Sequence, residues 1–187
     1  IFTQKVCSRI TKRPNMAKKK SFILGGAASG KSTFAETLVR SSGKSMVYLA
    51  TAQCFEAEMQ TNIDRHKKQR GSGWCTIEAP FDLIAPIDGL QSDEIVLLDC
   101  ITMWLSNHLL KASDLDLECD QLISALERCT GQLVVVSNEV GQGIVPDNAL
   151  ARQFRTLQGR LNQRIAATAD TVVFVTAGLP TLLKGML

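Results

Sequence analysis

The chain has 187 residues, 45% of them hydrophobic and 21% charged, a balance that suits one globular domain with a sizeable core and excludes a disordered or fibrous chain. No apolar run approaches the roughly eighteen residues a membrane span needs. The net charge of +3 is uneven: residues 1–20 hold seven Lys and Arg and no acid, and the remainder holds 14 Lys and Arg against 18 Asp and Glu, so the body is mildly acidic and carries no nucleic-acid footprint.

The basic stretch "IFTQKVCSRITKRPNMAKKK" lacks the apolar centre of a secretory signal, and although acid-free it is short for a transit peptide. Met16 is the expected native start, which makes 1–15 an upstream extension and 1–20 a basic arm ahead of a single catalytic domain, 21–187. From Ser21 the pattern alternates. "SFILGG" predicts a first buried strand and "KSTFAETLVRSS" a helix; "SMVYLAT" is a second strand and "EAEMQTNIDRHKKQR" a second helix. "EIVLLDC" is a third strand, before helical stretches at "ITMWLSNHLLKA" and "DLECDQLISALERC". "QLVVVSNEV" is a fourth strand, a long helix runs from about Asn148 to Ala169, and "TVVFVTAG" is a fifth strand. In the long helix Leu150, Phe154, Leu157, Leu161 and Ile165 share one face of a 3.6-residue period. Short, continuously apolar strands separated by helices predict an α/β fold, a mostly parallel sheet flanked by helices. Ligands in such folds bind beyond the carboxyl ends of the strands. The six cysteines (Cys7, Cys54, Cys75, Cys100, Cys119, Cys129) show no metal-ligand spacing. They read as reduced thiols of a cytoplasmic protein.

"GGAASGKS", Gly25 to Ser32, fits G-x-x-x-x-G-K-[ST] between an apolar strand and a helix, the context of a P-loop. Here the backbone N–H groups of Gly25, Gly26, Ala27, Ala28, Ser29 and Gly30 turn inward at phosphate oxygens. The new helix adds its positive end. Lys31 reaches the β- and γ-phosphates, and Ser32 holds Mg²⁺. Asp99 closes the apolar strand "IVLLD" as a Walker-B carboxylate that helps hold that metal; an acid at a strand end also serves as a helix cap. The P-loop predicts a nucleoside triphosphate and leaves the reaction open.

The stretches "GGAASGKS", "YLATAQ", "RHKK", "DCITMWLSN", "NEVGQGIVP" and "GRLNQRIA" occur in this order. Together they resemble the bifunctional adenosylcobinamide kinase/adenosylcobinamide-phosphate guanylyltransferase family, from Ser21 to the C-terminus. The resemblance implies a RecA-like P-loop fold, a homotrimer, and cobalamin biosynthesis in two steps. ATP or GTP phosphorylates adenosylcobinamide, a corrinoid; a histidine then takes GMP from GTP and passes it to the phosphorylated acceptor, giving adenosylcobinamide-GDP. His66 matches that histidine. Phe55, Met59, Ile63 and His66 share one helical stripe. The neighbouring Lys67, Lys68 and Arg70 disfavour its protonation, whereas a helix C-terminus favours it. The resemblance also places Ala50, Thr51 and Ala52, then Lys67, Lys68, Gln69 and Arg70, and Glu78 and Asp99 at the nucleotide. Glu139 orients the attacking hydroxyl or caps a turn. Arg152, Arg155, Arg160 and Arg164 form either a solvated face or phosphate and subunit contacts. His108, on an apolar helix, is structural. One departure stands out: family loops often read GGARSGKSR, and Ala28 and Thr33 replace the two arginines here. Two other readings are a plain P-loop small-molecule kinase and a non-catalytic nucleotide-binding module.

Overall fold

The computed structural model describes residues 20–53 and 71–186. His66, Lys67, Lys68, Gln69 and Arg70, with the helix expected around them, lie outside the described residues. Seven strands form one sheet: β1 (Lys20–Gly25), β2 (Ser45–Ala50), β3 (Trp74–Glu78), β4 (Glu94–Asp99), β5 (Gln132–Asn138), β6 (Thr171–Thr176) and β7 (Leu179–Lys184). Their order across the sheet is β3-β2-β4-β5-β1-β6-β7, and every pairing is parallel except β6 with β7. The helices are α1 (Lys31–Arg40), α2 (Ile84–Asp88), α3 (Ile101–Leu110), α4 (Leu115–Arg128) and α5 (Ala149–Thr168).

Burial on both faces explains why the central strands read as unbroken apolar runs. Along β1 successive side chains alternate between the two sides. Phe22 and Leu24 join Leu49, Leu98, Trp104, Leu122, Leu126, Leu161 and Ile165 beneath α2 to α5. Ile23 faces the other way, into a smaller core with Val39, Leu97, Val136, Val173 and Val175 under α1.

The inner stripe of α5 departs from expectation at one end. Leu161 and Ile165 are buried and Phe154 and Leu157 pack against the core, but Leu150 is 51% exposed. The cause is length. Twenty residues of helix rise about 30 Å, whereas six or seven residues of strand span about 20 Å. Since α5 starts from the carboxyl end of β5, its first turns overhang that edge of the sheet, and Leu150 has no strand beneath it.

Candidate functional site

Parallel pairing brings the expected site residues to one edge. Gly25, the last residue of β1, is in register with Asn138 on one side and Val175 on the other. Ala50 is opposite Asp99 and Glu78. The carboxyl ends of β1, β2, β3, β4 and β5 thus form a continuous rim carrying Gly25, Ala50, Glu78, Asp99 and Glu139.

The turn from Gly25 to Ser32 is tightly built. Gly30 has φ +91° and Ala28 φ +53°, so the backbone curls as a phosphate-cradling turn must. Gly178 N donates to Ser29 O at 2.8 Å, and Glu139 N donates to Gly25 O at 3.0 Å. The cradle is therefore clamped between the ends of β5 and β6. A Cβ at Gly25 would lie 2.6 Å from the Val175 carbonyl oxygen; this position has room for glycine alone. Lys31, the first residue of α1, is 9% exposed; its Nζ donates to Gly26 O at 3.1 Å. Ser32 is half-buried in the first turn, while Ala27, Ala28 and Thr33 are exposed. The two positions that differ from the family's arginine-bearing loop thus lie on the outside of the cradle. Ser29 Oγ is buried without a hydrogen-bond partner, an unspent donor inside the turn.

Asp99 is half-buried at the end of β4. Burial pushes the thiol of the next residue, Cys100, up to about 11; Asp99 adds to this rise and Lys31 opposes it.

Thr51 follows β2 directly. It is completely buried, its hydroxyl donates to Cys100 O at 2.7 Å and accepts from Cys100 N at 2.8 Å. The side chain ties the end of β2 to the start of α3. Asn107 extends the tie, donating to Thr51 O and Pro80 O. Ala50 and Ala52 are half-buried beside it, and Glu78 is exposed at the rim.

Glu139 leads the loop from β5 to α5. Gly141 N donates to its Oε1, so the carboxylate caps its own turn. Arg155 donates to Gly141 O, and Arg152 holds Pro146 O at 3.0 Å and Asp147 O at 2.6 Å. These arginines therefore fix the loop, and Arg164 pairs with Asp120 of α4 at 2.7 Å. His108 is buried. Its Nε2 meets Phe81 O at 3.2 Å and its Nδ1 meets Ser113 Oγ at 3.1 Å. A carbonyl only accepts, so Nε2 carries a hydrogen. This is the structural histidine expected.

A buried polar group that the sequence reading passed over sets the height of the rim. Thr102 Oγ1 accepts from Asn138 N at 2.8 Å, and Asn162 Nδ2 donates to Asn138 O at 3.2 Å. Ser137 Oγ donates to Asn162 Oδ1 at 2.8 Å and accepts from Gln158 Nε2 at 2.9 Å. Both polar groups of the Asn138 main chain are gripped, one from α3 and the other from α5. The signal was present: Gln158, Leu161, Asn162 and Ile165 follow i, i+3, i+4, i+7, two amides on an otherwise apolar stripe.

The family model for "Cobinamide kinase / cobinamide phosphate guanyltransferase" matches residues 21–183. The chain belongs to this family. It is thus a transferase of the cobinamide kinase and guanyltransferase type. The chain is 41% identical over 169 residues to the bifunctional adenosylcobalamin biosynthesis protein CobP of Pseudomonas aeruginosa, covering 89% of this chain and 98% of that one. It is 39% identical to the bifunctional adenosylcobalamin biosynthesis protein CobU of Salmonella typhimurium, with 87% and 98% covered. Among solved structures, the flagellar accessory protein FlaH of Methanocaldococcus jannaschii superposes with a TM-score of 0.51 at 14% identity, over 89% of this chain and 78% of that one. The RadB recombinase gives 0.50 at 17%, over 84% and 74%. These two likenesses concern the fold alone, and they fit the P-loop architecture expected of the family member. Among the described residues no helix is long and apolar enough to cross a membrane.

Proposed function

We propose that the rim from Glu78 to Glu139 holds one nucleotide site that serves two successive transfers in cobalamin biosynthesis. In the first, a γ-phosphoryl group from ATP or GTP passes to the hydroxyl of adenosylcobinamide. In the second, an imidazole nitrogen of His66 attacks the α-phosphorus of GTP, pyrophosphate leaves, and the GMP is then handed to the phosphorylated corrinoid. The observation that carries this reading is the clamped Gly25–Ser32 cradle on the same carboxyl edge of the sheet as Asp99, Glu78 and Glu139, in a chain of this family.

The backbone of Gly25–Gly30 and the Ser29 hydroxyl bind the phosphates, Lys31 neutralises their charge, and Ala50, Thr51 through its main chain, Ala52 and Glu78 border the nucleoside. Ser32 and Asp99 are the groups that would hold Mg²⁺, whose chemistry when bound is to offset charge on the phosphate oxygens. Lys67, Lys68, Gln69 and Arg70 line the same triphosphate, next to the proposed nucleophile. Glu139 orients the acceptor hydroxyl; its carboxylate also caps the loop, and the two roles share the Oε1/Oε2 pair. Residues 21–187 act as one catalytic unit, supported by the single sheet that runs from Lys20 to Lys184. The protein acts in the cytoplasm as a homotrimer. Leu179, Leu182 and Leu183, exposed on the edge strand β7, offer a surface for a partner copy.

GTP labelled at the α-phosphorus tests the reading. The wild type acquires an acid-labile, alkali-stable label, His66→Ala acquires none, and Lys31→Ala loses both the label and γ-phosphoryl transfer. Labelling that persists in His66→Ala overturns the assignment of the nucleophile. Transfer of the γ-phosphate with no label in the wild type leaves a simple kinase.

A further inference from the structure

Gln158 bonds Ser137, the second-last residue of β5, and this contact fixes the height of α5 against the sheet. Counting back at about 1.5 Å per residue, Arg155 stands about 5 Å and Arg152 about 9 Å further toward the carboxyl edge. There the overhanging helix and the loop after Glu139 enclose a cavity of about 450 Å³, bordered by Gly141, Val145, Arg152, Arg155, Thr156 and Arg160 among others. Among the described residues, no acidic one borders it. Arg152 spends only its NH1 group on carbonyls, and Arg155 spends one N–H of NH2, while Arg160 makes no hydrogen bond among the described residues. A guanidinium carries five N–H donors, so most of this donor set remains available in one concave space. Val145 on its border is 64% exposed, and the next residue in the chain, Ile144, is 97% exposed.

The cavity is also joined to the nucleotide cradle. Gly141 belongs to its wall, lies two residues from Glu139 and so within about 7 Å along the chain, and Glu139 N is bonded to Gly25 O.

We infer that this cavity binds the phosphomonoester of the second-step acceptor, an amphipathic molecule with a dianionic phosphate and a bulky apolar body. The assignment rests on the two-transfer reading above. Planar guanidinium groups match phosphate oxygens bidentately, and the exposed Ile144 and Val145 meet the apolar body. In the transfer, an oxygen of the bound monoester forms the new P–O bond to the GMP phosphorus as the His66 N–P bond breaks. The electron pair returns to the imidazole, and the proton the ring lost on attacking GTP is restored to it. The arginines reduce repulsion between the two anions that must meet.

Arg160→Gln is the decisive variant, because Arg160 holds no part of the loop. The KM for adenosylcobinamide phosphate in GMP transfer rises roughly ten- to a hundredfold, Arg160→Lys recovers part of it, and the rate of enzyme labelling by GTP is retained. Binding of adenosylcobinamide phosphate is also measured by calorimetry in the Lys31→Ala background, where no nucleotide chemistry is needed. It persists in Lys31→Ala and is lost on adding Arg160→Gln. An unchanged KM, a parallel fall in both half-reactions, or a dissociated oligomer whose KM recovers at high protein concentration overturns the proposal. Absence of any label in the wild type with Arg160-dependent binding intact would instead sink the histidine mechanism and leave the phosphate site standing.

Discussion

Gly25 shows how a single atom decides whether the cradle exists. An added methyl would meet Ser29 Oγ at 2.4 Å and Val175 O at 2.6 Å. The hydroxyl can rotate away, but the carbonyl belongs to a central strand paired with β1 and has nowhere to go. Gly25→Ala therefore pushes the first turn of the cradle outward and misaims its N–H groups, which must converge within hydrogen-bond distance of phosphate oxygens. A fluorescent GTP analogue should bind this variant at least about tenfold more weakly, since one misplaced charge-assisted hydrogen bond is worth about 1.5–3 kcal/mol. Wild-type affinity in the titration would mean that the cradle does not grip phosphate here. The pattern G-x-x-x-x-G-K-[ST] announces this residue without a structure, because its chemistry is local. The role of Thr51 was not readable in that way. Its partner Cys100 is 49 residues away, and only the pairing of β2 with β4 brings the two together.

The same distinction between local and distant determines which elements the sequence revealed. The five strands read from unbroken apolar runs are the five central ones, each buried on both faces. The two that escaped notice are the edges. In β3 four of five residues are exposed, and in β7 all six, so neither carries the apolar signal that marks a central strand. β7 also contains Pro180, admissible at an edge because no ladder is left for its missing N–H. It follows a two-residue turn, Ala177–Gly178, with φ of +52° and +78°, a mirror-image hairpin turn lacking its usual Asn or Asp. Helix packing offers a sharper test. Arg128 of α4 donates through Nε and NH2 to both oxygens of Asp88 at the end of α2, at 2.8 and 2.7 Å. These hydrogen bonds hold the Asp88 carboxyl below its ordinary value. A lowered carboxylate value stabilises the fold above the unfolded-state pKa and loses that contribution as pH falls through the folded value. Melting temperatures of the wild type and Asp88→Asn should thus differ near neutral pH, modestly because the pair is exposed to solvent. The gap should close as the pH drops through and below the usual carboxylate range. A gap that is constant down to acid pH would show that the amide disturbs packing and not charge.

For the whole molecule, the parallel sheet does what no short motif can: it collects Gly25, Ala50, Glu78, Asp99 and Glu139, residues spread over more than a hundred positions, on one rim. Strand order was beyond the sequence pattern, because alternating strands and helices state that a sheet is parallel without stating which strand lies beside which. The proposed mechanism assigns gripping and chemistry to separate residues, binding to the cradle and reaction to His66. These roles part under thermodynamic linkage. A ligand that binds only the folded state at a hundred times its Kd stabilises it by about 2.7 kcal/mol, which for a chain of this size raises Tm by about 5–10 °C. A GTP analogue that resists cleavage between the α- and β-phosphorus should give this shift with the wild type. His66→Ala should keep most of it, since no covalent bond forms with such an analogue, and Lys31→Ala should lose it. The reverse pattern, with the shift retained in Lys31→Ala and lost in His66→Ala, would place the principal hold on the triphosphate in the segment around the histidine and demote the Gly25–Ser32 turn from cradle to spacer.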